Sequence, residues 1–285
     1  MLKLKKKYFK IMHKEIGIMQ GRLLPKYNGR YQAHPLGYWK DEFALAKKTG
    51  LSYIEFILDF NDFEKNPLIF DDGINEISNI IQKTGVGVKS ICADYFMEAP
   101  LHSSNKAIAK KSVDVLNKLI INADKIGVTD IVIPCVDQSS LIMEMDKKRL
   151  IINLQKSIEL ATKYNINLAL ETDLPPKKFA DLLNEFDSKR ITVNYDIGNS
   201  ASLGFDILEE FECYGERISD IHIKDRELGG GSVFLGTGAA NFPLFNKILS
   251  NIDFKGPIIM QAFRDDEGTE IFKKQFNWFK KSFNE

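Results

Sequence analysis

Cysteine is scarce in this 285-residue chain. Cys92, Cys135 and Cys213 are odd in number and far apart, which argues against a disulfide framework and reads as reduced thiols of a cytoplasmic protein. Net charge is absent too: 39 basic residues balance 39 acidic ones, so no global field draws the chain to nucleic acid, and attraction for an anion must be local. No apolar run approaches membrane-spanning length. The start, MLKLKKKYFKIMHK, is broken by lysines before a signal-peptide core can form, and it reads as a basic arm over 1–14 ahead of one domain over 15–285. Histidine is limited to four residues, and no G-x-G-x-x-G follows the first apolar strand, which removes the usual signal for a dinucleotide.

What is present is a regular alternation of short apolar strands and amphipathic helices. Strands are expected over 16–19, 53–57, 88–92, 130–134, 167–171 and 191–196, then in the run ahead of Lys224 and in the run ending at Gln261. Helices are expected between them over 39–49, 74–84, 105–126, 147–164, 176–186, 206–214 and 243–251, with a last one running to Phe283. Gly50, Gly85 and Gly127 stand where helices end. Eight such units with nearly continuous apolar strands predict an α/β fold of the (β/α)8 TIM barrel type, closed in a single domain, ahead of an open doubly wound sheet.

Four strand ends carry side chains able to bind a metal: Glu171 after LAL, Asp196 after TVNY, His222 in IHIKD and Gln261 after PIIM. In a barrel the carboxyl ends of the strands share one mouth, so these four converge despite their separation in sequence. Three oxygens and one imidazole nitrogen suit a single divalent ion, Mn2+, Mg2+ or Co2+ first and Zn2+ after them. The bland alternative is that each residue only caps its strand or bonds loop backbone. Arg22 and Arg264, just beyond the first and last strands, are placed to clamp a phosphate or carboxylate bidentately, as is Arg226 with less force.

With Glu171 after LAL, Asp196 in YDIGN, His222 in HIKD and the loop FLGTGAANF, the chain resembles the xylose isomerase-like TIM-barrel superfamily in its sugar phosphate isomerase/epimerase branch, over most of 16–283. The resemblance implies a metal at the fifth, sixth and seventh strands, with a second glutamate usual at the eighth. Gln261 departs from that pattern. It implies, too, that Glu55 and Lys224 lie near the sugar, which with Glu171 makes the catalytic candidates Glu171, Lys224 and Glu55, and that Asp225 of the His-x-Lys-Asp pattern joins Arg22 and Arg264 in binding substrate. The alternatives are an interior ion pair of Glu55 with Lys224 or an arginine, and of Lys224 with Asp225 or Glu55.

A glutamine oxygen can bind a metal but cannot accept a proton near neutral pH, so Glu171 becomes the best base. This favours a metal-dependent isomerase of a sugar or sugar phosphate, with proton transfer through an enediolate, over an epimerase needing a base on each face. Glutamate at position 261 is expected to tighten the ion. An epimerase or a keto-inositol-type dehydratase on the same site remains an alternative, as does a non-catalytic carbohydrate-binding barrel that lost its eighth-strand carboxylate. A zinc phosphodiesterase related to apurinic endonucleases ranks lower, for want of histidines and positive charge. The expected partner is a small sugar, with no nucleic acid or membrane, and self-association is left open.

Overall fold

The computed structural model describes residues 15–264 and 269–283; the basic arm expected over 1–14 lies outside the described residues. Eight parallel strands close on themselves in sequence order: β1 (Gly17–Met19), β2 (Tyr53–Ile57), β3 (Gly87–Cys92), β4 (Asp130–Cys135), β5 (Asn167–Thr172), β6 (Ile191–Asp196), β7 (Ile218–Ile223) and β8 (Ile258–Met260). β8 pairs back onto β1, with Gly17 opposite Ile259. Closure leaves no free edge, and every residue of β2, β4 and β6 is buried. A parallel sheet covered by helices outside and filled inside shows no alternation of exposure, which is why these strands read as apolar runs.

The helices are α1 (Asp41–Thr49), α2 (Asp71–Thr84), α3 (Tyr95–Glu98), α4 (Lys106–Lys125), α5 (Glu144–Lys163), α6 (Pro176–Asn184), α7 (Ile197–Ser202), α8 (Ile207–Tyr214), α9 (Phe242–Asn251) and α10 (Thr269–Ser282). Most bounds agree with the expected ones to within two residues. α2 and α5 each start three residues early, because Asp71 and Asp72 lie in the favourable first turn of α2 and Asp146 accepts the N–H of Met143 at 2.8 Å ahead of α5. The one-turn helices α3 and α7 were too short to show a period.

Two cores result. The larger lies between strands and helices and includes Phe43, Phe56, Leu116, Leu154, Phe245 and Phe272. The smaller fills the barrel itself with Met19, Tyr53, Ile57, Cys92, Val132, Ala169 and Ile259. Tyr53 plugs the amino-terminal end, its hydroxyl donating to Glu15 O at 2.9 Å and accepting from Ile258 N at 2.9 Å. Gly17 makes room for that ring, since a Cβ there would stand 2.2 Å from it. Truncating one of the buried phenylalanines to alanine should cost about 3–5 kcal/mol. All three cysteines are free thiols.

Candidate active site

Polar side chains share the barrel with the apolar ones, and the candidate site residues gather at its carboxyl end. Glu171 lies near the end of β5, Asp196 ends β6, His222 lies in β7, and Gln261 follows β8; all four are buried. His222 Nδ1 is 3.9 Å from Glu171 Oε2, and its Nε2 is 2.9 Å from Glu55 Oε1. Asn194, two residues before Asp196 on the same face, places its amide nitrogen 2.9 Å from Glu171 Oε2 and 3.1 Å from His222 Nδ1. Asp196 Oδ1 accepts the N–H groups of Gly198 and Asn199, capping α7, while Oδ2 is 3.4 Å from Lys224 Nζ. Gly198 is required there: a Cβ would come within 2.9 Å of the Lys224 backbone.

The charges perturb one another. Burial and the nearby Asp196 raise the Glu171 carboxyl above its ordinary range, while His222, Lys224 and the Asn199 hydrogen bond pull it down. Burial alone would lower His222, yet Glu55, Glu171 and Asp220 outweigh it and push the imidazole up to about 10. The ion pairs therefore differ from the sequence alternatives. Glu55 is bound to His222 and accepts from Ser90 at 2.5 Å, and Lys224 pairs with Asp196 rather than with Asp225 or Glu55.

Glu171 is oriented from outside the predicted set. Asn199 donates to its Oε1 at 2.6 Å, and Arg226 donates to Asn199 Oδ1 at 2.9 Å, so a donor-only guanidinium fixes which way that amide points. Arg226 is thus an internal brace, also donating to Gly230 O. Asn199 was legible as part of YDIGN, but nothing in the sequence told its task from that of a cap.

Asp225, expected at the sugar, is turned the other way. It is fully buried, and its oxygens accept the N–H groups of Arg226, Gly236, Gly238 and Ala240 at 3.0, 2.8, 2.9 and 3.1 Å. Four backbone donors leave it as the pin of the β7–α9 loop. A Cβ at Gly238 would stand 2.3 Å from its Oδ1, which accounts for the second glycine of FLGTGAANF, while one at Gly236 would stand 2.3 Å from the Trp278 ring.

Arg22 and Arg264 do come together: Arg264 donates to the Arg22 carbonyl and stacks on Tyr31 with its guanidinium 4.3 Å from the ring centre. Their loop is held from below by Glu42, whose carboxylate accepts Gly21 N at 2.7 Å and Leu23 N at 2.9 Å. A cavity of about 470 Å³ beside them is lined by Leu23, Leu24, Pro25, Lys26, Tyr31, Arg264 and Thr269. His34 and His102 in the neighbouring loops are both buried, and burial pushes His34 down to about 3.

Among the described residues Glu171, Asp196 and His222 are not a trio with ligand atoms within 4.8 Å of one another; Glu171, His222 and the Gln261 oxygen are the part of the expected set that suits a divalent ion as it stands. Gln261 Oε1 is buried without a hydrogen-bond partner, and two atoms each about 2.1 Å from one ion can stand up to about 4.2 Å apart, which accommodates Glu171 and His222. The Asn194 NH2 faces His222 Nδ1, which leaves the ring proton on Nε2, 2.9 Å from Glu55 Oε1, and makes Nδ1 the nitrogen with a lone pair for an ion. Among the described residues the tightest trio of ligand atoms, within 4.8 Å of one another, is Glu55, Asp220 and His222. There burial and Glu55 raise the fully buried Asp220 well above its ordinary value.

A closed parallel barrel with acids, an imidazole and amides at its carboxyl mouth is the frame of a barrel enzyme. The chain belongs to the xylose isomerase-like TIM barrel family, whose sequence profile it matches over residues 43–282. It is 26% identical over 240 residues to the probable L-ribulose-5-phosphate 3-epimerase UlaE of Mycoplasma pneumoniae, covering 81% of this chain and 79% of that one. It is 25% identical over 255 residues to the L-ribulose-5-phosphate 3-epimerase UlaE of Escherichia coli O1:K1 / APEC, covering 85% and 89%. In fold it is similar to the IOLI protein solved with a zinc atom, with a TM-score of 0.72, 17% identity, and 94% and 96% of the two chains covered.

Proposed function

We propose that this chain is an enzyme interconverting ketose phosphate isomers or epimers, by moving a proton at a carbon beside the carbonyl. The observation that carries the reading is Glu171: a buried carboxylate of raised pKa at the mouth, held on both oxygens by the amides of Asn194 and Asn199 and 3.9 Å from His222. A carboxyl raised in this way is a stronger base than an exposed one. Its two amide bonds fix the direction of approach, which matters because proton transfer needs hydrogen-bond distance.

A divalent ion held by Glu171, Asp196, His222 and the Gln261 oxygen would supply Lewis-acid stabilisation of the negative charge developing on the substrate oxygens. Lys224, restrained by Asp196, presents its ammonium to a substrate hydroxyl. Arg22 and Arg264 bind the phosphate; Tyr31 stacks on Arg264 and keeps that guanidinium flat. Glu55 acts from behind, holding the imidazole of His222 rather than touching the sugar.

Relatives named as L-ribulose-5-phosphate 3-epimerases support exchange of a proton at C3 of a ketose phosphate, and 3-epimerisation is the first reading. Gln261 favours the second, transfer between C1 and C2, because an amide at the eighth strand supplies no base for the opposite face of C3. Incubation of ketose 5-phosphates with the enzyme and Mn2+ in deuterated water, followed by proton NMR, separates them. Deuterium at C3 with a new ketose supports epimerisation; deuterium at C1 or C2 with a new aldose supports isomerisation. Absence of exchange with pentulose and hexulose phosphates under Mn2+, Mg2+, Co2+ and Zn2+ would remove both.

A further inference from the structure

The loop between β1 and α1 sends one side chain, Gln32, across the mouth. Its Nε2 donates to Asp94 Oδ2 at 3.1 Å, just beyond β3. Its Oε1 accepts from Arg22 Nη2 at 3.3 Å and from Gln261 Nε2 at 2.8 Å. Asp94 as a carboxylate can only accept, and Arg22 can only donate, so the Gln32 amide cannot be flipped without setting oxygen against oxygen and nitrogen against nitrogen. Asp94 is itself held, by the Cys92 thiol at 3.1 Å.

That fixed direction passes to the next amide. Gln32 presents an oxygen, so Gln261 must present its NH2, and its own oxygen is left pointing away from Gln32. Gln261 lies two residues after Ile259, whose side chain is inside the barrel, so by the two-residue period of a strand it faces the same interior. Its Oε1 is buried with no hydrogen-bond partner, an acceptor left for something absent from the protein itself.

We infer that Gln32 is a positioning residue which, set between Asp94 and Arg22, turns the Gln261 amide oxygen toward the ion site, so that this mouth is built for a neutral ligand at the eighth strand. The inference rests on the metal reading given above. It also reverses one expectation from sequence. A carboxylate at position 261 would set one of its oxygens 2.8 Å from the fixed Gln32 oxygen, and the repulsion would offset the charge it brings to the ion.

The test is a double-mutant cycle on the full chain with two readouts: calorimetric titration with Mn2+, and thermal melting in chelator without any ion. Gln32→Met should weaken Mn2+ about tenfold, the loss typical of an outer-shell partner. Gln261→Glu alone should lower the metal-free melting temperature by about 3 °C and fail to tighten Mn2+. In the Gln32→Met background the same Gln261→Glu change should leave melting unaltered and tighten Mn2+ about tenfold. Gln32→Leu repeats that arm if the methionine variant does not fold. Equal effects of Gln261→Glu in both backgrounds, with the parent still binding Mn2+, overturn this inference alone; a parent that binds no divalent ion overturns it together with the metal reading.

Discussion

Glu42 offers a measurement in which sign and size both follow from the structure. Its carboxylate is fully buried in α1 and holds the loop of Arg22 through Gly21 N and Leu23 N. Burial raises it from an ordinary 4.5 to about 7, although the two N–H groups, Arg22 and Arg264 pull the other way. In the unfolded chain the group titrates near 4.5. Between pH 4.5 and 7 the folded state therefore keeps a proton that the unfolded state has lost, so stability falls as pH rises through this window and levels off above it. At about 1.4 kcal/mol per tenfold change in proton affinity, the fall is about 3 kcal/mol. Glutamine in its place has no proton to lose and still accepts one of the two N–H groups. The stability of Glu42→Gln relative to the parent should thus move by about 3 kcal/mol in the variant's favour between pH 4.5 and pH 8. Urea unfolding followed by circular dichroism at the two pH values reads it, and a difference that stays constant between them would refute the argument.

Glu171→Gln should abolish turnover and proton exchange with the fold intact, because one amide face is set against the donor of Asn194 or Asn199; retained exchange in deuterated water would exclude Glu171 as the base. Asp225→Ala removes the acceptor for four backbone N–H groups and should raise protease sensitivity within residues 226–240 while the metal-free melting temperature falls by several degrees; an unchanged cleavage pattern would deny the pin. Chelator should lower the melting temperature of the protein as purified, and Mn2+ should restore it in parent but not in Asp196→Ala; equal restoration in both would place the ion elsewhere.

The strands and their order are the part of this molecule that the sequence determines by itself. Eight apolar runs of strand length, each followed by a helix, have few ways to bury both faces, and the barrel is the one in which strand ends such as Glu171, Asp196 and His222 become neighbours. Partners were another matter. Glu55 meets His222 across 167 positions, Gln32 meets Gln261 across 229, and Arg226 reaches Glu171 only through Asn199. Asp225 follows Lys224 in the chain, yet one pins a loop while the other faces Asp196 at the mouth. Periodicity states which face a side chain leaves by, and that is a local property of the backbone. Which donor meets it there depends on the closure of the barrel and on loops with no period, so only the tertiary structure decided it.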